Sequence, residues 1–370
     1  MTQNVQRQRG LDHLKPYVPG KPVEEVKREY GLDDVIKLAS NENPLGTSPK
    51  AVAAMREALA RINVYPDGQS YDLRQALARR FDLPMETVTV GNGADGLIME
   101  LCMAFLDEES EVIVSASSFP VYDIYTYIMR AELVKTPLKD YGLDLEAMAD
   151  AVTERTRVIF VCNPNNPTGT VVTADEVDRF MRRIPEHVLV VFDEAYYEFV
   201  DADDYPTTMD YVREGRQNVL ILRTFSKVYG LAGIRLGYGI GHPDVLACLH
   251  QVKEPFAVNL LAQAAGLAAL GDSAFLERTV TTNCVERHFL YGELERLGLF
   301  YVSSHTNFVM VEIGPQAGDV VEALLKAGVI VRPCGGYDLP DFVRVTIGER
   351  GQNERFVHSL ARILGRSEQR

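Results

Sequence analysis

Between about residues 45 and 250 the chain alternates short apolar, β-branched runs with amphipathic helical stretches. That is the pattern left by βαβ units feeding a mostly parallel sheet. The apolar runs fall at 88–90, 111–114, 157–161, 188–192, 219–222 and 236–239, and several are continuously apolar rather than alternating. Strands covered on both faces read in this way. The spacing predicts helices over 94–105, 120–129, 174–184 and 243–251, and another over 51–62 that opens on Ser48 as N-cap with Pro49 at the first helical position. After about residue 258 come two long helical patterns, 259–270 and 272–297, followed by short strands at 307–312, 329–332 and 342–346. The first forty or so residues, with Pro16, Pro19, Gly20 and Pro22, read as an arm crossing a surface. The expected division is therefore an N-terminal arm with part of a small domain (1–44), a large α/β domain (45–257) and a small α+β domain (258–370).

Charge narrows the function classes. Against 38 Lys and Arg stand 52 Asp and Glu in 370 residues, a net charge of −14, which argues against nucleic acid or an anionic membrane as the main partner. No apolar h-region follows Met1, and no stretch approaches the ~18 apolar residues of a membrane span, so a cytoplasmic location is expected. The five cysteines, Cys102, Cys162, Cys248, Cys284 and Cys334, are odd in number and far apart. They form neither a disulfide framework nor a metal-ligand cluster, and no metal site is expected.

Chemistry concentrates at the ends of the apolar runs. Gly91-Asn-Gly-Ala-Asp-Gly96 follows one and opens a helix, formally matching the dinucleotide fingerprint. That fingerprint needs an acidic residue at the end of the next strand. Here Ser115-Ala116-Ser117 occupies that place. What survives is a phosphate site on the amides of a helix N-terminus, open to any phosphorylated cofactor. Further on come Asn163-Pro-Asn-Asn-Pro-Thr-Gly169, Phe192-Asp193-Glu-Ala-Tyr196 and Thr224-Phe-Ser226-Lys227, the last running on to Arg235. All fall at the C-terminal edge of the expected sheet, where open α/β folds place ligands.

This order and spacing resemble the class I and II aminotransferases, pyridoxal-phosphate enzymes of fold type I. The resemblance implies an α/β fold with a mostly parallel seven-stranded sheet in the large domain and a smaller α+β C-terminal domain. It also implies roles. Lys227 would supply the amine that condenses with the cofactor, and Asp193 would keep the pyridinium nitrogen protonated so that the ring acts as an electron sink. Asn166 and Tyr196 would hydrogen-bond the ring 3-oxygen, and Phe119 would lie on the ring face. The phosphate would be held by the amides of Ala94 and Asp95, the hydroxyls of Thr224 and Ser226, and Arg235.

A closer resemblance, to the histidinol-phosphate aminotransferases of histidine biosynthesis, rests on Leu14-Lys-Pro-Tyr17, Leu38 to Gly46, Tyr65-Pro-Asp67, Val329-Ile-Val-Arg332-Pro and Val343-Arg344-Val-Thr-Ile-Gly348. It implies exchange of an amino group between L-histidinol phosphate and 2-oxoglutarate. Arg344 would bind the α-carboxylate of glutamate, Arg332 with Tyr17 the substrate phosphate, and Asn43 the substrate. Tyr65 would reach the cofactor phosphate of a second subunit in a homodimer. The chain departs from that family at Gly96, where a glutamate is usual, and in the loop Cys334 to Pro340. Aromatic-amino-acid aminotransferases share many of these segments and are the nearest alternative. A lyase on the same scaffold and a nicotinamide dehydrogenase stand further off.

Overall fold

The computed structural model describes residues 8–14, 16 and 20–366. Seven strands form the main sheet: β1 (Val88–Gly91), β2 (Glu111–Ser115), β3 (Glu132–Thr136), β4 (Thr156–Cys162), β5 (Leu189–Asp193), β6 (Val219–Thr224) and β7 (Gly237–Gly241). Their order is β1-β7-β6-β5-β4-β2-β3, and only β7 runs antiparallel to its neighbours. The continuous apolar runs have their explanation here. Ile159, Val161, Val190, Phe192 and Ile221 point into one buried cluster. Val158, Phe160, Leu189, Val191, Leu220 and Leu222 point into another on the opposite face, as period-two alternation requires.

Strand β3 was not among the expected runs. It lies at the sheet edge with Glu132 and Lys135 exposed, so its composition is polar where an inner strand would be apolar. Helices expected at 94–105, 120–129, 174–184 and 243–251 are Gly93–Phe105, Val121–Ile128, Ala174–Arg183 and Pro243–Val252. Ser48 caps Pro49–Ala58, its hydroxyl oxygen accepting from the amide of Ala51 at 3.3 Å, and a short 3₁₀ turn, Leu59–Arg61, follows. The helix Leu260–Leu270 contributes Ala262, Ala265 and Ala269 to the cluster that also holds Leu73 and Leu77 under the main sheet.

A second sheet, ordered β8-β9-β11-β10, is built from β8 (Tyr301–Val302), β9 (Phe308–Glu312), β10 (Arg332–Pro333) and β11 (Phe342–Thr346). One face packs Val309, Val311, Val343 and Val345 on Leu290 and Leu294 of the helix Ser273–Arg296 and on Phe356 and Leu360 of the helix Arg350–Ile363. The expected strand at 329–332 is divided. Val329–Ile330 pairs in parallel with Ile36–Lys37, while Arg332 belongs to β10.

The expectation that the first forty residues only cross a surface needs correction. Val23–Tyr30 is a helix whose Val26 is fully buried with Ala39, Leu325 and Ile330, because its apolar positions find a partner in the strand at 329–330. The two sheets are tied directly. Asp201 accepts from His305 Nδ1 at 2.6 Å and pairs with Arg287, and the amide of His305 donates to Gly169 O at 2.8 Å.

Two glycines near the start of the helix Gly93–Phe105 differ in the room they leave. At Gly237, opposite Gly91 and Thr224 in the ladder, a Cβ would come 2.4 Å from the amide nitrogen of Ala94. At Gly96 a Cβ would meet nothing nearer than the Cβ of Asn92 at 3.4 Å, so the third fingerprint glycine is not needed for packing. Gly237→Ala is therefore expected to lower stability by about 2 kcal/mol or more. Gly96→Ala, in a helix interior with room, is expected to raise it by about 0.5–1 kcal/mol. Denaturant unfolding of the two variants decides the matter, and equal signs would contradict the account.

Candidate active site

A cavity of about 270 Å³ opens where β1, β4, β5 and β6 end, under β10, β11 and the segment 39–42. Twelve residues expected from the sequence line it: Lys227, Asp193, Tyr196, Asn166, Ala94, Asp95, Phe119, Thr224, Ser226, Arg235, Arg332 and Arg344.

Asp193 closes β5 and is buried. Its Oδ2 accepts from the hydroxyl of Tyr122 at 2.6 Å and its Oδ1 from the amide of Ala195 at 3.1 Å. Burial pushes its carboxyl up to about 6, against the downward pull of those two hydrogen bonds. Tyr122, fully buried and stacked on Phe160 at 4.3 Å, was not anticipated. Its position three residues after Phe119, one helical turn on, is the signal that could have found it. Phe119 itself meets Tyr122 edge-on at 5.7 Å.

Lys227 follows β6 through the tight turn Thr224-Phe-Ser, in which the Thr224 hydroxyl oxygen accepts from the amide of Ser226 at 3.0 Å. Burial, and next the positive charge of Arg344, bring its ammonium down to about 8. The Nζ lies 5.6 Å from the ring centre of Tyr196. The hydroxyl of Tyr196 accepts from Asn41 Nδ2 at 2.8 Å, and burial raises its pKa, so it stays a proton donor. Cys162 also lines the cavity, with burial raising its thiol to about 12, which makes it a poor nucleophile.

The helix Gly93–Phe105 aims its N-terminus at the cavity, and the side chain of Asn92 makes no capping bond. Gly93 has a φ of +76°, and a Cβ there would lie 2.7 Å from Arg235 Nη2. Arg235 reaches Ser226 Oγ at 3.4 Å and the carboxylate of Asp95 at 3.1 Å. Free first-turn amides, a guanidinium and a serine hydroxyl thus converge on one spot, a donor set for phosphate.

At the other end, Arg344 and Arg332 stand directly opposite each other in the register of β11 and β10. Buried Arg344 donates from Nη1 to Asn166 Oδ1 and to the hydroxyl of Tyr337, the latter at 3.2 Å, and from Nη2 to Ala39 O at 3.0 Å. Its Nε is buried and finds no acceptor among the described residues. Like charges placed face to face on a ladder are unfavourable. An anionic ligand resolves both the repulsion and the orphaned donor.

Two expected residues stand apart. Asn43 turns from the cavity, its Nδ2 donating to Val228 O at 2.9 Å and to Thr279 Oγ1 at 3.3 Å, and its Oδ1 accepting from the amide of Leu45. The asparagine of that segment that faces the cavity is Asn41, whose φ of +56° turns it inward. Tyr65 is 79% exposed and stacks on Phe256 at 4.6 Å, outside this cavity. Tyr17 lies outside the described residues. Among the described residues no helix is long and apolar enough to cross a membrane, and no group of three or more His, Cys, Asp or Glu is placed to hold a metal ion.

The donor set, the buried carboxylate and the lysine between them fit the flat phosphorylated pyridine that the sequence suggests. The family model for aminotransferases of class I and II matches residues 33–360. The chain is 49% identical to a histidinol-phosphate aminotransferase of Moorella thermoacetica, over 95% of this chain and 91% of that one. It is 47% identical to the histidinol-phosphate aminotransferase of Symbiobacterium thermophilum, over 95% and 97%. Among solved structures, the histidinol-phosphate aminotransferase of Sinorhizobium meliloti in complex with pyridoxal-5'-phosphate superposes with a TM-score of 0.91 at 28% identity, covering 99% of both chains.

The lowered lysine and raised aspartate set a pH window. Capture of added pyridoxal phosphate by ligand-free protein should speed up with rising pH with a midpoint near 8, where Lys227 loses its proton, and should fall off below about 6 as Asp193 becomes neutral. Stopped-flow absorbance checks this. A midpoint in the ordinary lysine range, near 10.5, would contradict it.

Proposed function

The chain belongs to the class I and II aminotransferases, and from that premise we propose that it exchanges an amino group between L-histidinol phosphate and 2-oxoglutarate, giving imidazole-acetol phosphate and L-glutamate. The observation that carries the substrate reading is the pair Arg332 and Arg344, opposed across one ladder in the lining of the cavity that also holds Lys227 and Asp193. Two substrates alternate in this site. One brings a phosphate and no α-carboxylate, the other two carboxylates, and two guanidinium forks serve both.

The cofactor is pyridoxal phosphate, which when bound supplies the electron sink that makes loss of a proton from the amino-bearing carbon feasible. The chain's residues do the rest. The amides of Ala94 and Asp95, Ser226 and Arg235 hold the phosphate, with Thr224 shaping the turn beneath it. Asp193, fixed by Tyr122 and Ala195, would hold a proton on the ring nitrogen. Tyr196 and Asn166 would donate to the ring oxygen, and Phe119 would flank the ring. Lys227, whose ammonium burial and Arg344 lower to about 8, would anchor the cofactor and then take and return the proton at the amino-bearing carbon. Arg344 orients the α-carboxylate of glutamate, and Arg332 the distal phosphate of histidinol phosphate. Tyr65, stacked on Phe256 at an exposed apolar surface with Ile62 and Val64, serves the neighbouring subunit of a homodimer.

Single-turnover half-reactions test the assignment. Arg344→Lys should slow the glutamate half-reaction far more than that with histidinol phosphate, because lysine has no bidentate fork. Arg332→Ala should weaken histidinol phosphate binding by roughly 2–5 kcal/mol, with a smaller effect on glutamate. If the wild-type enzyme prefers phenylalanine or tyrosine, and Arg332→Ala leaves that preference untouched, an aromatic-amino-acid aminotransferase replaces this reading.

A further inference from the structure

Arg344 presents a problem that its role with glutamate does not settle. Its guanidinium is buried, and its described partners, Asn166, Tyr337 and Ala39, are all neutral. A buried cation is tolerated only when its hydrogen bonds are satisfied, and an unmatched donor in such a place is costly. When glutamate binds, a carboxylate completes the set. When histidinol phosphate binds, no carboxylate arrives, and the guanidinium must be satisfied by the protein alone.

Tyr337 is placed to do this. It ends the short turn Gly335–Tyr337 between β10 and β11. Its amide donates to Cys334 O at 2.8 Å, and the amide of Cys334 donates to Phe342 O at 3.0 Å. Its ring is buried with Val302, Met310, Cys334 and Phe342 on the cavity face of the small sheet. The backbone therefore fixes the phenol, whose oxygen accepts from Arg344 Nη1 at 3.2 Å while its ring centre lies 5.9 Å from the guanidinium carbon. Tyr337 lines the same cavity as Lys227 and Arg332.

Resting on the substrate pair assigned above, we propose that Tyr337 is a specificity-determining residue whose phenol oxygen stands in for the substrate carboxylate at Arg344 whenever the bound substrate has none. The phenol accepts from Nη1 while histidinol phosphate is bound and yields that donor when the carboxylate of glutamate or 2-oxoglutarate arrives. Nη1 is thereby kept satisfied through both halves of the cycle, so that a carboxylate-free donor leaves only Nε without an acceptor among the described residues.

Tyr337→Phe removes only the oxygen and keeps the ring in its apolar setting. In single-turnover experiments on the holoenzyme, the variant should lose about ten- to hundredfold in kcat/KM for histidinol phosphate, the scale of one hydrogen bond to a charged group, and no more than about threefold for glutamate. Calorimetric binding of glutarate, a dicarboxylate that cannot react, should be equal to wild type or tighter, because the anion no longer displaces the phenol. Parallel losses in both half-reactions, weaker glutarate binding, or no loss with histidinol phosphate would each overturn the role. A wild-type enzyme that does not transaminate histidinol phosphate would remove the substrate reading instead; glutarate binding then decides the place of Tyr337 by itself, tighter or equal binding supporting it and weaker binding refuting it.

Discussion

Two ionisable groups at the ends of adjacent strands, buried Asp193 on β5 and half-buried Lys227 just after β6, are the constraint that the rest of the molecule answers to. Burial drives the carboxyl up to about 6 and the ammonium down to about 8, so each lies nearer neutrality than it would in water. They form no ion pair with each other among the described residues. Holding both inside the same cavity demands a rigid surround, and the main sheet provides it. Strands buried on both faces leave no room for β5 or β6 to shift, and the phenol of Tyr122 and the amide of Ala195 use both oxygens of Asp193. Pairs of groups whose environments shift their proton affinities in this way mark acid-base sites.

The small sheet adds the second half of the chemistry. Its helix-facing valines bury one face, and on the other face strict alternation leaves Met310, Arg332 and Arg344 toward the cavity. The two arginines are thus brought together by register, not by local sequence, since eleven intervening residues separate them along the chain. The segment 39–42 closes the gap between the sheets. Ala39 O holds Arg344, and Asn41 bridges Thr346 on β11 to Tyr196 beyond β5. Arg344 is in this way mechanically continuous with Tyr196 on the far side of the cavity.

The sequence made the inner strands legible because their two-sided burial writes itself as unbroken apolar runs. It concealed β3, whose edge position allows Glu132 and Lys135 outward. The helix Val23–Tyr30 was hidden because its single fully buried residue, Val26, is covered by a strand three hundred residues later. Site residues on strand ends, such as Asp193 and Thr224, were readable from spacing. Those whose role depends on a turn or on a distant neighbour were not. Asn41 and Asn43 differ by two positions, and only the left-handed backbone at Asn41 decides which amide faces the cavity. Tyr122 and Tyr337 owe their places to Asp193 and Arg344 respectively, contacts that no local pattern records.

The proposed reaction depends first on Lys227 holding the cofactor in this cavity. Borohydride reduction of the purified protein loaded with pyridoxal phosphate, followed by peptide mass mapping, addresses it most directly, because reduction fixes the cofactor to whichever amine holds it. The account predicts one phosphopyridoxyl group per chain, on the peptide containing Lys227. Label on another lysine, with Lys227 unmodified, would contradict it.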